Sequence, residues 1–197
     1  MKLYTSLTSP FGHKCRLVVH AEGLADRVQI VQPDIKSEAY VNVNPLRKVP
    51  ALELDDGRVL INSPLIAAYL ASQGDGAKTY PEVEREKWDV LNKEAIADGM
   101  VEAGVLIFME GLRAEDERSQ SWLERQNGKI TAALDVFEAE SSTYGDAAHI
   151  GLLSLASGLA WFDRRDIIGD WRESHPNLKS WLERFAQNDF WQASNND

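Results

Sequence analysis

Strand signals occur in this chain only before about residue 82, and everything beyond reads as helix. That asymmetry excludes a sheet drawn from the whole length and implies a small α/β unit followed by an all-helical one. In the first part Leu3, Tyr4 and Thr5 form a short strand candidate. Ser9 or Thr8 caps a helix that carries Leu17, Val18 and Ala21 and stops at Gly23. Val28 and Ile30 alternate with polar neighbours, as on a half-buried strand. Residues 44–52 are a Pro-bounded loop leading into a strand. The tight turn Asp55-Asp56-Gly57-Arg58 and the returning Val59-Leu60-Ile61 complete a hairpin. Ser63 is expected as the N-cap of the next helix, with Pro64 at its first position and Leu65, Ile66, Tyr69 and Leu70 on one face.

Residues 73–77 have linker composition. The expected organisation is therefore an α/β domain over 1–76, a linker over 77–83 and an all-helical domain over 84–197. Helical spacing runs over 84–112 and again over 116–140, where Leu123, Ile130, Leu134 and Phe137 recur. Residues 147–162 are apolar nearly all round, which suits a buried central helix. Leu178, Trp181, Leu182 and Phe185 stripe a last helix after Pro176.

A net charge of −10 argues against a phosphate-tracking nucleic-acid surface. One cysteine rules out an intrachain disulfide, a CxxC pair and a cysteine-rich zinc site. His20, His149 and His175 lack partners at metal-ligand spacing, so no metal is expected. The first residues lack the apolar run of a signal peptide, and the stretch 103–109 is too short to span a bilayer. The expectation is a cytoplasmic protein with no membrane association.

Four stretches together resemble the glutathione S-transferase family, in particular its small bacterial YibF-like members. They are Ser9-Pro10-Phe11, Asn44-Pro45 with Lys48-Val49-Pro50, Asn62-Ser63-Pro64-Leu65-Ile66-Ala67, and His175-Pro176-Asn177-Leu178 with Trp181 and Arg184-Phe185. Residues 93–100 look like the fourth helix of the same members. The resemblance implies a thioredoxin-like N-terminal domain, an all-helical C-terminal domain, glutathione as co-substrate and a homodimer.

Glutathione chemistry needs a thiolate, because the neutral thiol is a poor nucleophile. A hydroxyl at a helix N-terminus stabilises that anion by a hydrogen bond and by the helix dipole, together about 1–2 kcal/mol. Ser9 stands where such a donor is needed, with Thr8 as its neighbour; lacking a cysteine there, the chain has a hydroxyl site and not a redox pair. The resemblance implies that Phe11 lines the glutathione site and that the Val49–Pro50 bond is cis. It gives Val49 the role of pairing with the tripeptide like an added strand. It also assigns Ser63 to the γ-glutamyl carboxylate and Lys48 to the glycine carboxylate, with Lys36 and Arg47 as helpers. Glycine is common in the family where this chain has Arg47.

The family places Glu or Asp before the serine to receive the γ-glutamyl ammonium, and here that residue is Asn62. Losing the charge weakens binding by about 1 kcal/mol. Asp98, and after it Glu102, is the candidate acid reaching from the fourth helix of a partner subunit. A second departure concerns the buried helix, where Asp146 is expected to cap the first turn and His149 stands in place of a carboxylate. Cys15 reads either as a thiol activated by Lys14 and Arg16 or as a small core-facing residue. His13 is expected at the surface or lining the site. The second substrate is expected against Phe11, Met100, Gly104 and Phe108. The leading functional reading is a transferase in which Ser9 activates glutathione for attack on a small electrophile, including ether or halide displacement. The rival is a transferase-like protein-binding scaffold.

Overall fold

Buried Leu3 lies at the middle of β1 (Lys2–Tyr4), and β1 has a partner on each side. The computed structural model describes residues 1–74 and 79–195, so residues 75–77 of the linker-like stretch, and the expected boundary after residue 76, lie outside it. β2 (Gln29–Val31) pairs parallel to β1, β3 (Ala51–Glu53) pairs antiparallel, and β4 (Val59–Ile61) completes the order β2-β1-β3-β4. A parallel pair needs a crossover, and α1 (Pro10–Ala21) supplies it. The β3–β4 hairpin sets Ala51 opposite Ile61 and closes with the Leu54 amide donating to the Arg58 carbonyl at 2.8 Å.

Two details differ from the sequence reading here. α2 (Glu38–Val43) was not anticipated; it is too short to show a period, and Ser37 Oγ caps it by accepting from the Tyr40 amide at 3.2 Å. α3 (Ser63–Ala71) starts one residue early, with Asn62 as its N-cap. Asn62 has φ 79°, and its carbonyl accepts from the Ile66 amide at 3.0 Å. Ser63 is thus the first helical residue, and its hydroxyl is not spent on capping.

Beyond residue 79 the described chain contains α4 (Glu84–Gly111), α5 (Gln120–Glu140), α6 (Ile150–Arg165), α7 (Trp171–Ser174), α8 (Pro176–Phe185) and α9 (Asp189–Ser194). α6 is the buried helix, with Leu153, Leu155 and Leu159 fully enclosed. It begins three residues later than the apolar run suggests. The cap is His149, whose Nδ1 accepts the Leu152 amide at 3.3 Å, and not Asp146. Burial lowers the His149 pKa to about 4, which keeps that nitrogen an acceptor. The third helical position is the buried Leu152, which has no group to return the bond. α6 packs closely on α4: a Cβ on Gly151 would stand 2.8 Å from the Val90 carbonyl oxygen.

Polar contacts tie the start of α1 to the helices. Ser157 Oγ donates to the Pro10 carbonyl at 2.6 Å, and Arg164 donates to the Leu7 carbonyl at 2.6 Å. Both bonds flank Ser9, so the hydroxyl at the mouth of α1 is held from two sides of the chain.

Candidate active site

Ser9 is the N-cap of α1, and its Oγ accepts the Gly12 amide at 3.1 Å. The helix thereby orients the oxygen, and the hydroxyl hydrogen remains to donate elsewhere. The helix-start dipole favours negative charge at the same point.

The loop before β3 is shaped by two residues that sequence reasoning passed over in this role. Asn44 is buried, donates from Nδ2 to the Lys48 carbonyl at 2.7 Å and accepts the Leu46 amide at 3.0 Å. Tyr40 donates to that same carbonyl at 2.7 Å. The Asn-Pro step was the available signal, since an asparagine side chain readily closes a turn two residues on. The Val49–Pro50 peptide that follows is cis. Among the described residues neither the amide nor the carbonyl of Val49 makes a hydrogen bond, so the backbone beside β3 is open to an added strand.

These elements enclose a cleft of about 490 Å³. Its lining includes Phe11, Lys48, Val49, Pro50, Asn62 and Ser63, with Asp98 and Glu102 contributed by α4. At the start of α3 a proline removes one amide donor, while Ser63 presents a hydroxyl beside the helix N-terminus. The Asn62 side chain makes no capping bond and is available to the cleft. Phe11, Lys48, Val49 and Glu102 also line a second, more apolar cleft of about 600 Å³. Ser9 opens onto this second cleft, beside Val105, Phe108 and Trp161. Of the expected second-substrate residues Phe11 and Phe108 line it. Met100 is only 1% exposed, and Gly104 is packed against Phe162, so both are core.

Asp98 is engaged within its own chain. Lys14, 1% exposed, donates from Nζ to Asp98 Oδ2 at 2.6 Å and to Glu94 Oε1 at 3.0 Å. Burial raises the Glu94 pKa above its ordinary value, and the Lys14 charge works against that rise. Asp98 therefore reaches the cleft wall with one oxygen held by a buried cation.

His13 and Arg47 depart from their expected places, and Cys15 takes the core-facing one of its two readings. His13 is 4% exposed, stacks edge-on against Trp191 and bonds Ser194 through Nε2 at 3.2 Å. It neither faces solvent nor lines the site, because α9 folds back over this side of α1. Cys15 is fully buried, and burial pushes its thiol up to about 12, which settles it as a core residue and not an activated thiol. Arg47 has φ 52°, in the left-handed region that glycine adopts most readily. Its guanidinium donates to the Lys36 carbonyl at 2.6 Å and to Glu38 at 3.3 Å, so it braces α2 at the rim of the second cleft.

Among the described residues no group of three or more His, Cys, Asp or Glu could hold a metal ion. No helix among them is long and apolar enough to cross a membrane.

Comparison with known proteins gives the same geometry a family. The family model described as glutathione S-transferase, N-terminal domain, matches residues 8–73. The uncharacterized GST-like protein YibF of Escherichia coli K12 is 28% identical, over 96% of each chain. A glutathione transferase family member from Pseudomonas fluorescens Pf-5, solved with bound glutathione, is 33% identical. It superposes with a TM-score of 0.90 over 98% of this chain and 97% of its own. A second structure from that organism, with bound S-(propanoic acid)-glutathione, matches at 33% identity and a TM-score of 0.86, over 98% of each chain. Identity at this level across the full length, on a shared fold, makes the chain a member of the glutathione transferase family.

Proposed function

We propose that the protein is a glutathione transferase in which the Ser9 hydroxyl stabilises the glutathione thiolate for attack on a small electrophile. The observation that carries this reading is the adjacency of the two clefts across Phe11, Lys48 and Val49, with Ser9 facing the apolar one. Glutathione lies in the first cleft, held mainly by the α/β domain assigned to residues 1–76. Its cysteinyl backbone pairs with Val49, its γ-glutamyl carboxylate meets Ser63 and the start of α3, and its glycine carboxylate meets Lys48. Asn62 accepts a bond from the γ-glutamyl ammonium, and Asp98 supplies negative charge close by. The sulfur then projects toward Ser9 and the second cleft, whose far wall comes from the helical domain over 84–197. The thioether bound to the Pseudomonas relative supports conjugation as the reaction class. Two copies pair through α4 as a homodimer.

Calorimetric titration with reduced glutathione at pH 7 tests the binding half, with saturation in the micromolar to millimolar range as the expected result. Ser63→Ala weakens that affinity by about tenfold, the value of one hydrogen bond to a charged group. Ser9→Ala leaves glutathione bound, raises the pKa of the bound thiol by about one unit and slows conjugation by about tenfold at pH 7. The bound thiolate is read directly from its ultraviolet absorbance against pH. An unshifted titration in Ser9→Ala would remove Ser9 from the chemistry.

The neutral Asn62 in place of an acid favours a second reading, a non-catalytic scaffold that keeps the fold for protein binding. No heat with glutathione up to several millimolar is its expected signature.

A further inference from the structure

Arg165 ends α6 and lines the second cleft, at the end of the wall formed by Phe108 and Trp161. Its guanidinium carbon stands 4.8 Å from the centre of the Phe108 ring, and Phe108 in turn meets Trp161 edge-on at 6.3 Å. The aromatic face fixes the plane of the guanidinium without using its donors. Its Nε is buried with no hydrogen-bond partner, and among the described residues no carboxylate lies within ion-pair distance of it. The helix C-terminus stabilises a cation here but leaves a donor unmet. Nε itself lies beneath the surface, so what Arg165 offers the cleft is its terminal nitrogens: an oriented cation without a carboxylate partner among the described residues, on the wall of a ligand-sized cavity.

The other charges facing this cleft limit what that group can be. Lys48 is committed to glutathione in the reading above, and Arg47 is tied to Lys36 and Glu38. Glu102 is the acidic residue in the lining; it is exposed and shared with the glutathione cleft, away from any pairing with Arg165. The remaining lining is largely apolar, from Ile35, Val105, Leu106 and Met109.

We propose that the electrophile is an apolar or aromatic molecule carrying a carboxylate, and that Arg165 selects it by receiving that carboxylate on its terminal guanidinium nitrogens. This rests on the transferase reading of the same site. For an aryl chloride the step is a displacement: the thiolate sulfur bonds the ring carbon, and chloride leaves with the carbon–chlorine electron pair. The carboxylate takes no part in the electron count and acts only through binding. Arg165 is accordingly a substrate-recognition residue.

Two probe pairs test it. 4-Chloro-3-nitrobenzoate and its neutral amide are compared as substrates, each corrected for its uncatalysed rate with glutathione. The matching S-aryl glutathione conjugates are compared by calorimetry, which needs no turnover. The wild type favours the carboxylate over the amide by about ten- to a hundredfold in kcat/KM and in conjugate affinity, as befits a charged hydrogen bond in a partly buried site. Arg165→Met keeps an unbranched side chain on the cleft wall and erases that preference, while Arg165→Lys keeps part of it. Equal affinity of the wild type for both conjugates, or a preference that survives Arg165→Met, overturns the proposal while leaving glutathione binding intact. Failure to bind glutathione as well as both conjugates overturns the transferase reading itself, and this proposal with it.

Discussion

Replacing Lys14 by methionine lowers the unfolding free energy by about 3–5 kcal/mol at pH 8, the usual cost of removing one partner from a buried ion pair. Lys14 lies at the midpoint of α1 and is the only cation bonded to either Glu94 or Asp98 among the described residues. Both acids are themselves largely enclosed, with side chains 6% and 16% exposed. Methionine matches the lysine stem in length and leaves the carboxylates facing an apolar group. The sign of the pH effect follows from Glu94. Burial already raises its pKa, and Lys14 holds it down, so removing Lys14 raises it further. An acid with a raised folded-state pKa costs stability when ionised and costs nothing once protonated in both states. The deficit of Lys14→Met is therefore full at pH 8 and shrinks as pH falls toward 5. Urea unfolding at the two pH values measures it, and Lys14→Met combined with Glu94→Gln recovers part of the loss at pH 8. A deficit below 1 kcal/mol, or one independent of pH, would show that the carboxylates are solvated and not paired.

His13 gives the second large effect, at the opposite end of the pH range. Burial first, then the charges of Arg16 and Arg164, lower its pKa from 6.5 to about 3. The folded state thus holds the ring neutral at pH values where the unfolded chain protonates it. Its contribution to stability is complete above pH 6.5 and is lost as pH falls from there toward about 3. Between pH 6.5 and 5 the loss is about 2 kcal/mol, from about 1.4 kcal/mol for each pH unit. His13→Gln removes the titration while leaving a group able to bond Ser194. The stability difference between wild type and variant therefore narrows by that amount over the interval. His149 remains in both proteins, with its pKa lowered to about 4, and its effect cancels in the comparison. Parallel curves for the two proteins would mean that protonated His13 is accommodated by local opening of α9.

Trp191 of α9 covers His13 near the same end of α1 that carries Ser9. Acid loosening of this contact therefore acts close to the candidate nucleophile-activating residue. Thermal melts and turnover of the wild type across pH 5 to 7 are expected to fall together for that reason.

What the sequence determines by itself is what short-range chemistry decides. Ser9 before Pro10 makes a capped helix start wherever that helix lies, because the bond is to the amide three residues on. Asp55-Asp56-Gly57-Arg58 closes the β3–β4 hairpin for the same local reason, and the apolar period of α8 marks its buried face directly. The change from mixed strand and helix to helix alone is likewise a property of the residue pattern. The structure had to decide wherever a residue's environment comes from distant chain. Lys14 and His13 look like surface residues of an exposed helix face, and become buried only because α4 and α9 pack over α1. The start of α6 moved from the Asp146 region to His149 because alanines 147 and 148 are compatible with helix or loop, and His149 receives the Leu152 amide on both its carbonyl and its partly buried ring nitrogen. Arg165 carries no motif at all; its unmet donor exists because the end of α6 meets the face of Phe108 on α4. Local hydrogen bonds and periodicity are legible one residue at a time, whereas burial, charge pairing and the walls of a cleft are set by elements that meet only in the folded chain.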